Sequence, residues 1–426
     1  MAASPEFALQ KPEVYESKRV HLSSPILHIG SAVSRLNPFE YVQTDKKVYL
    51  PNQEALAKAL QQKGGRFLND YIQAIEEGKD INNLLRQAFG SQWWNTIDAN
   101  GELIFPKNAI SQKLTDANIR DLRPMIRNGM GQLFIPGSSI KGAMRTAIAY
   151  HLLKYADRYQ VPSAKRVSQI EETLRERLGK LNQHQQKSLD DDLFMESLFS
   201  EYYLTYQQRD FPGKGPNTDF LRCLKVTDSE PLSEGQITTK KGTKIPLNFP
   251  VVAEVIISSR FSDYLAKYKA SIYVEMVRNV QTEFTLSLDT EMLSWFKHKQ
   301  GMKLPFTTLD ELLQICHEFA QEQWDYEHDY WQKMKNNPRA GVKNLDFNYI
   351  REFYEAEKSP YNLRLGWGSG MTGTTVDLLL EDELREEIRD TCGLKAPGFE
   401  APKSRRTVVN PNGEIRFVPG WVKFKT

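Results

Sequence analysis

The chain has 426 residues, 40% of them hydrophobic, which is enough for two or three ordinary domains with substantial cores. Lysine and arginine total 56 against 54 acidic residues, so the net charge of +2 argues against a general polycation such as a chromatin protein. Three widely spaced cysteines argue against a disulfide framework or a Cys-rich zinc site, and no stretch approaches the ~18 apolar residues of a membrane span. Residues 1–7 lack the basic-then-apolar build of a signal peptide, so we expect a cytoplasmic protein. We also expect no metal and no cofactor.

The first half of the chain alternates between strand and helix patterns. Loose apolar alternation predicts a strand over 14–29, and 39–42 with 48–50 are typical of a hairpin. Apolar residues at helical spacing then predict a helical block within 53–105. An extended segment at 132–135 leads into a helix that runs to about Tyr155, and a second, heavily charged helical block covers 163–208.

The second half returns to strands and ends in mixed structure. Strands are predicted at 220–227, 251–258 and 283–288, with a polar hairpin at 235–244 that has no apolar face of its own. That hairpin is either disordered or projects towards a partner. A capping box of Thr308 and Glu311 predicts the start of a long helix. Strands interrupted by helical blocks indicate an α+β fold with two related halves.

The sharpest local motif is the Pro-Gly-Ser-Ser loop, Pro136–Ser139, at the predicted start of a helix. Backbone N–H groups and the hydroxyls of Ser138 and Ser139 at the positive end of a helix dipole are typical of a phosphate cradle. Lys141 and Arg145 are four residues apart and share a helix face. Serine N-capping beside a solvated basic face explains the same residues. A P-loop is ruled out because Ala143 and Met144 follow where Lys-Ser/Thr is needed.

A glycine-rich loop, 364–373, forms the second motif. Its glycines fit G-x-G-x-x-G, but the Pro-, Lys- and Arg-rich residues 394–406 cannot supply the second strand that a dinucleotide fold requires. We interpret the loop as one whose glycines let a phosphate chain approach the backbone, with Arg364 for charge and Trp367 for stacking. A tight turn with Trp367 in the core is the structural alternative.

The motifs, taken together and in order, resemble the RAMP superfamily of CRISPR-associated proteins, and in particular the fifth-subunit family of the type III-A (Csm) interference complex. The matching segments span nearly the whole chain: Ser24-Pro-Ile-Leu-His-Ile-Gly30, Ile135-Pro-Gly-Ser-Ser-Ile-Lys-Gly-Ala-Met-Arg145, Leu224-Lys-Val-Thr-Asp-Ser-Glu230, Arg364-Leu-Gly-Trp-Gly-Ser-Gly370 and Pro419-Gly-Trp-Val422.

The resemblance implies RRM-like (ferredoxin-like) halves with helical insertions. It divides the chain into an N-terminal RAMP domain, 14–260, with insertions at 53–105 and 163–208 and the projecting hairpin 235–244, and a C-terminal helical and degenerate RRM-like region, 261–426. It also implies a subunit that binds the 3′ end of the guide RNA (crRNA), meets target RNA indirectly, and contacts the backbone RAMP subunit, the small helical subunit and host processing nucleases.

Three loops are the expected RNA contacts under this resemblance. Their residues are His28, Gly30, Ser31, Arg35, Gly137, Ser138, Ser139, Lys141, Arg145, Arg364, Gly366, Trp367, Gly368, Ser369 and Gly370. The segment 31–38 lacks the aspartate of the RNA-cleaving backbone subunits, and the nearest acid, Asp45, lies in a hairpin turn. We therefore expect no target cleavage. The alternatives are an endoribonuclease that processes precursor crRNA without metal, with His28 as acid or base, and a pure protein scaffold.

Overall fold

The computed structural model describes residues 15–178, 197–211, 215–238, 242–341, 343–391, 396 and 398–426. Its centre is a 12-stranded sheet built around one long strand, Ala266–Asp289. The first half of this strand pairs antiparallel with Phe249–Arg260, and its second half pairs antiparallel with Tyr15–Leu27. Residues 251–256 of the strand Phe249–Arg260 are all buried, and because side chains alternate between the two faces of a strand, both faces of the sheet are covered there.

The strands, numbered in chain order, have the following bounds: β1 Tyr15–Leu27, β2 Val42–Gln43, β3 Lys47–Tyr49, β4 Ile110–Lys113, β5 Leu122–Arg123, β6 Tyr202–Tyr206, β7 Arg209–Phe211, β8 Leu224–Val226, β9 Gly235–Thr238, β10 Lys244–Leu247, β11 Phe249–Arg260, β12 Ala266–Asp289, β13 Phe296–His298, β14 Asn337–Ala340, β15 Lys343–Leu345, β16 Leu363–Arg364, β17 Arg405–Val409, β18 Ile415–Phe417 and β19 Trp421–Lys425. The main sheet runs β16-β19-β1-β12-β11-β4-β3-β2, with β5 and β8 on β12 and β17 on β11.

The α-helices of the described residues have these bounds: α1 Gln53–Lys63, α2 Gly65–Glu77, α3 Asn82–Phe89, α4 Gly137–Lys154, α5 Val167–Leu178, α6 Ser197–Phe199, α7 Thr290–Trp295, α8 Leu309–Lys333, α9 Asn348–Phe353, α10 Gly370–Thr374 and α11 Asp382–Thr391. Short 3₁₀ turns lie at Trp93–Asn95, Lys107–Ala109, Ser163–Lys165, Gly215–Thr218, Phe220–Cys223, Trp367–Ser369 and Asp377–Leu379. Across the described ranges, no helix combines the length and apolar character that crossing a bilayer requires.

The largest core lies between the sheet and the packed pair α4 and α8, where Val20, Met144 and Phe284 are fully enclosed. A second core gathers the aromatic side chains of α8, α9 and the last strand, including Trp324 and Trp421. The first insertion has its own small core under α1 to α3. The C-terminal strands therefore belong to the same body as the N-terminal ones.

The predicted α+β class is confirmed, and so is the capping box that starts the long helix, since Thr308 accepts from the backbone of Glu311 and Glu311 reaches back. The polar hairpin is present as β9 and β10, paired through Ile237 and Ile245, with every residue of β9 exposed; its tip, 239–241, lies outside the described residues. The domain boundary at 260/261, which falls between the paired strands β11 and β12, stays a prediction.

Two helix and strand assignments were wrong. The block 163–208 was predicted to be helical, but Tyr202–Tyr206 forms a strand that pairs with β7 and β13, because its aromatic residues pack against Phe220 and neighbouring rings. The predicted strand 220–227 begins instead with a 3₁₀ turn that Asp219 caps, and only Leu224–Val226 is extended. Residues 179–196 of the predicted helical block lie outside the described residues.

Candidate nucleic-acid interface

The Pro-Gly-Ser-Ser loop packs against residues 226–229, at the end of β8 and just after it. The backbone N–H of Gly137 donates to Oδ1 of Asp228 at 2.8 Å, and the N–H of Ser229 donates to the carbonyl of Ile135 at 2.9 Å. A Cβ at Gly137 would lie 2.3 Å from the carbonyl oxygen of Val226. Glycine is therefore required here for close packing of two backbone segments.

The cations of this loop point into the fold. Lys141 donates its ammonium to the carbonyl of Leu224 at 2.7 Å, and burial lowers its pKa. Arg145 forms an ion pair with Asp219 at 2.5 Å and lies 3.8 Å from the centroid of the Phe199 ring. The prediction that the two cations form an open phosphate-binding face is therefore corrected, because each already has a partner in the chain.

Ser138, in contrast, is exposed, and Ser139 is half-buried at the start of α4. Asp228 occupies the N–H of Gly137, so a ligand at this helix end would meet mainly the two hydroxyls. The loop therefore presents hydroxyl groups at its surface, whereas its two cations, Lys141 and Arg145, stabilise the fold.

His28 is buried at 3% exposure at the end of β1. Its Nδ1 lies 2.7 Å from the carbonyl oxygen of Glu275, and since a carbonyl only accepts, Nδ1 carries the proton. Burial lowers its pKa to about 4, which leaves the ring neutral at physiological pH. In this position His28 supports the backbone of the neighbouring loop.

The loop that follows His28 lies beside β5. Gly30 bridges Met125, and Leu36 bridges Leu122. Ser31 donates its hydroxyl to the carbonyl of Val33 at 2.8 Å.

Arg35, which belongs to the same set of predicted contacts, is exposed and 3.4 Å from Asp121. The expected contacts Gly30, Ser31 and Arg35 therefore line the edge of the segment that carries Arg123.

A buried carboxylate anchors this corner of the sheet. Glu275, fully buried in β12, accepts two hydrogen bonds from the guanidinium of Arg127 at 2.7 and 2.8 Å, one from Ser111 and one from the N–H of Met125. These donors hold the pKa of Glu275 below its usual range although burial alone would raise it. The bonds tie β12 to the segment that bridges Gly30.

The glycine-rich loop packs on protein at its first glycines. Gly366 has a φ of +74°, and a Cβ there would lie 2.2 Å from the carbonyl oxygen of His28, which also accepts the N–H of Trp367. A Cβ at Gly368 would lie 2.6 Å from the ring of Pro419. The expectation that these glycines admit a phosphate chain is corrected for Gly366 and Gly368, because the backbone they approach is the chain's own.

Arg364 was predicted to supply charge to a ligand from the surface, and the structure places it inside at 5% exposure. One of its terminal nitrogens donates to the carbonyl of Gly368 at 3.2 Å, and the other lies 3.9 Å from Glu327. Ser369, also buried, donates its hydroxyl to the carbonyl of Gly366 at 2.8 Å. These bonds fix the shape of the loop.

Trp367 is the half-buried residue of this loop, and arginines surround it. The guanidinium carbon of Arg406 lies 4.2 Å from the ring centroid, and Nη1 of Arg406 donates to the carbonyl of Trp367 at 3.0 Å. The guanidinium of Arg123 lies 5.7 Å from the same ring, and the His28 ring meets it edge-on at 6.0 Å. We call Trp367, Arg123, Arg406 and His28 the Trp367 cluster.

The charge of the Trp367 cluster is not balanced by acids. Among the described residues, no carboxylate forms an ion pair with Arg123 or Arg406. Burial, with Arg123 and Arg364 nearby, lowers the pKa of Arg406. A related pair lies on the same apolar cluster of the sheet, where Arg278 sits 4.8 Å over Phe417.

Arg123, Arg278 and Arg406 are not among the contacts predicted from the sequence. Arg406 ends the Pro-, Lys- and Arg-rich segment 394–406, and Arg123 is flanked by the apolar residues Leu122 and Pro124. Their positions beside Trp367 follow from sheet pairing: β5 joins β12 through Val274, and β17 joins β11 through Ile257. No local sequence pattern predicts these contacts.

The fold is that of a known protein superfamily. The RAMP superfamily model matches residues 19–286, and the chain belongs to that superfamily. It is similar to a CRISPR system Cms protein Csm5 from Enterococcus italicus, with 28% identity over 169 residues, which is 34% of this chain and 48% of the relative. The match thus spans about half the length of that curated relative.

Two solved structures share the fold. One is a cryo-EM structure of a Csm-crRNA-target RNA ternary complex of a type III-A CRISPR-Cas system, with a TM-score of 0.62 and 21% identity over 96% of this chain and 100% of the other. The other is the crystal structure of T. onnurineus Csm5, with a TM-score of 0.54 and 19% identity over 95% of this chain and 100% of the other. The resemblance drawn from the sequence motifs is confirmed.

Proposed function

We propose that this chain is a non-catalytic, crRNA-binding subunit of a type III-A CRISPR interference complex. It caps the 3′ end of the guide, supports guide maturation and assembly, and contacts the backbone RAMP subunit and the small helical subunit. It meets target RNA indirectly, and host nucleases supply the trimming. Membership of the RAMP superfamily and similarity to Csm5 proteins support this proposal.

The observation that carries the proposal is the Trp367 cluster. Stacking of a base on an aromatic ring contributes ~1–3 kcal/mol whatever the base, and unpaired guanidiniums beside it neutralise phosphates. Arg123 and Arg406 have no carboxylate partner among the described residues, so an anionic ligand replaces solvent there without breaking an ion pair. This combination suits an unpaired RNA strand bound without sequence selection.

One of the predicted contact loops flanks the cluster. The segment that carries Gly30, Ser31 and Arg35 bridges β5 next to Arg123, and α4, which begins at the Pro-Gly-Ser-Ser loop, packs along its length against α10 of the glycine-rich region. The RNA path that we propose runs from the hydroxyls of Ser138 and Ser139 past Trp367 to Arg406. Lys141, Arg145 and Arg364 position the path from within the fold.

The direct test replaces the two unpaired arginines together, Arg123→Ala with Arg406→Ala, and measures affinity for two unrelated single-stranded RNAs at several salt concentrations. We expect a loss of at least ~10-fold for both RNAs and a shallower salt dependence, because two phosphate contacts disappear. Arg66→Ala is the matched control, since Arg66 is 85% exposed and lies in the first insertion. A loss confined to one RNA, or an unchanged affinity, contradicts the proposal.

The alternative, a metal-independent endoribonuclease with His28 as acid or base, has an observation against it. His28 is almost fully buried, its Nδ1 is bonded to a backbone carbonyl, and its pKa of about 4 makes it a weak base at neutral pH. Incubation with a repeat-containing transcript in EDTA separates the two functions. We expect no cleavage; cleavage that His28→Ala abolishes would establish the enzyme instead.

A further inference from the structure

A cavity of about 280 Å³ lies beside the glycine-rich loop. Gly368, Ser369 and Gly370 form one wall, and Glu327 with Trp331 of α8, both buried, closes the inner end. The lining also includes the cations Lys403, Arg364, Arg405 and Arg406. A basic cavity in the body of the protein therefore shares the loop that carries Trp367.

One carboxylate serves two buried guanidiniums in this cavity. Oε1 of Glu327 lies 2.8 Å from Nε of Arg405 but 3.9 Å from Nη1 of Arg364, while its Oε2 accepts the indole N–H of Trp331 at 3.1 Å. Nε of Arg364 and Nη2 of Arg405 are buried without a hydrogen-bond partner. Buried donors of this kind cost stability unless a ligand satisfies them.

The charge in and around the cavity is positive. Five cations line it, Arg364, Arg389, Lys403, Arg405 and Arg406, against the single carboxylate of Glu327, and Arg389 is also paired with Asp390. Asp377 and Glu400 interact with Arg405 from outside the lining. Five positive charges against these four acids leave an excess of one.

We propose that this cavity binds a terminal phosphate monoester, the 3′-phosphate of an RNA strand whose preceding bases lie along the Trp367 cluster. A monoester has three acceptor oxygens and more negative charge than a diester, which suits the basic lining and the unpaired guanidinium donors. Because buried Glu327 and Trp331 line the cavity, we place a chain terminus there. This inference rests on the proposed function, since RNA binding must bring the terminus to the cavity.

The test compares RNAs of one sequence that end in a 3′-phosphate, a 3′-hydroxyl, or a 5′-phosphate with a 3′-hydroxyl, binding to the full chain. We expect the 3′-phosphate to bind about 10-fold or more tightly than the other two, because charge-assisted bonds to buried arginines are gained. Equal binding of the three, or a preference for the 5′-phosphate, overturns the inference but leaves the proposed function standing. Failure of all three RNAs to bind overturns both.

One variant locates the preference. Lys403→Ala removes a half-buried cation at the cavity. We expect it to reduce the 3′-phosphate preference while affinity for the 3′-hydroxyl RNA stays within about twofold, with thermal unfolding and Arg66→Ala as controls for folding and for surface charge. Inorganic phosphate and AMP are added as competitors; if they bind the cavity while RNA ends are not discriminated, the ligand is a free phosphate and the inference is wrong.

Discussion

Arg123, Arg278 and Arg406 are half-buried, each lies over an aromatic ring, and none has a carboxylate partner among the described residues. A desolvated cation without a counter-charge costs free energy, and burial accordingly lowers the pKa of Arg278 and Arg406. Ionisable side chains whose pKa is shifted by burial are concentrated at functional sites in proteins. The residues that fix the fold behave differently, since Arg127, Arg145 and Arg405 all have acidic partners.

The burial of His28 makes the stability of the fold depend on pH. In the unfolded chain His28 binds a proton near its ordinary pKa of 6.5, but in the fold it does so only near about 4. Between these values the unfolded state binds more protons, so stability falls as the pH falls, by an amount on the order of 3 kcal/mol at most. The contribution is fully present above pH ~6.5.

The comparison variant is His28→Asn, whose amide can still donate to the carbonyl of Glu275 but does not titrate. Chemical denaturation from pH 7 to pH 4.5 measures it. We expect a flatter stability profile for the variant by about one proton, although His298, whose pKa is also lowered to about 4, keeps part of the slope. Parallel profiles for the two proteins contradict the account of His28.

The elements of this fold differ in how far their sequences determine them. The long helix α8 was predictable because its capping box is local: Thr308 and Glu311 satisfy each other's backbone donors. Ser168 and Glu171 have the same spacing but form no capping box, because α5 begins before Ser168, at Val167. Glu171 instead accepts the backbone N–H of Glu381, far along the chain, and no local pattern predicts that contact.

The packing of Gly366 in the glycine-rich loop can be tested by substitution. Gly366→Ala places a methyl group against the carbonyl of His28 and forces an unfavourable left-handed φ, so we expect a loss of roughly 2–4 kcal/mol and a change in the fluorescence of Trp367. Gly142→Ala is the matched glycine, because it is exposed in α4 with open space around it. There we expect a gain of up to ~1 kcal/mol. Denaturation of both variants measures this, and equal stabilities would show that the loop is not held as described.

At the scale of the whole molecule, the first and last strands join. β1 pairs β19 through Leu22 and Phe424, so segments some 400 residues apart form one surface. Local patterns and ordered motifs in the sequence predict the fold class, the long helix, the polar hairpin and the superfamily. The Trp367 cluster was only half predicted: Trp367 and His28 belong to motifs, but Arg123 and Arg406 reach them through sheet pairing alone.

The near-neutral composition also has a structural explanation. Arg127 is paired with Glu275 inside the body, whereas Arg123 and Arg406 beside Trp367 have no carboxylate partner among the described residues. A net charge of +2 is therefore compatible with a local basic interface, which suits a subunit that holds RNA on one side and protein on others.

The central claim is that this chain caps a guide RNA through the Trp367 cluster. Sequencing the ends of the RNA that co-purifies with a reconstituted type III-A complex, after nuclease treatment, tests it most directly. With the wild-type chain we predict guides with one protected 3′ end; with Arg123→Ala and Arg406→Ala together we predict shortened, heterogeneous 3′ ends and unchanged 5′ ends. Identical 3′ ends with the wild-type chain, with the double variant and without the chain would contradict the account.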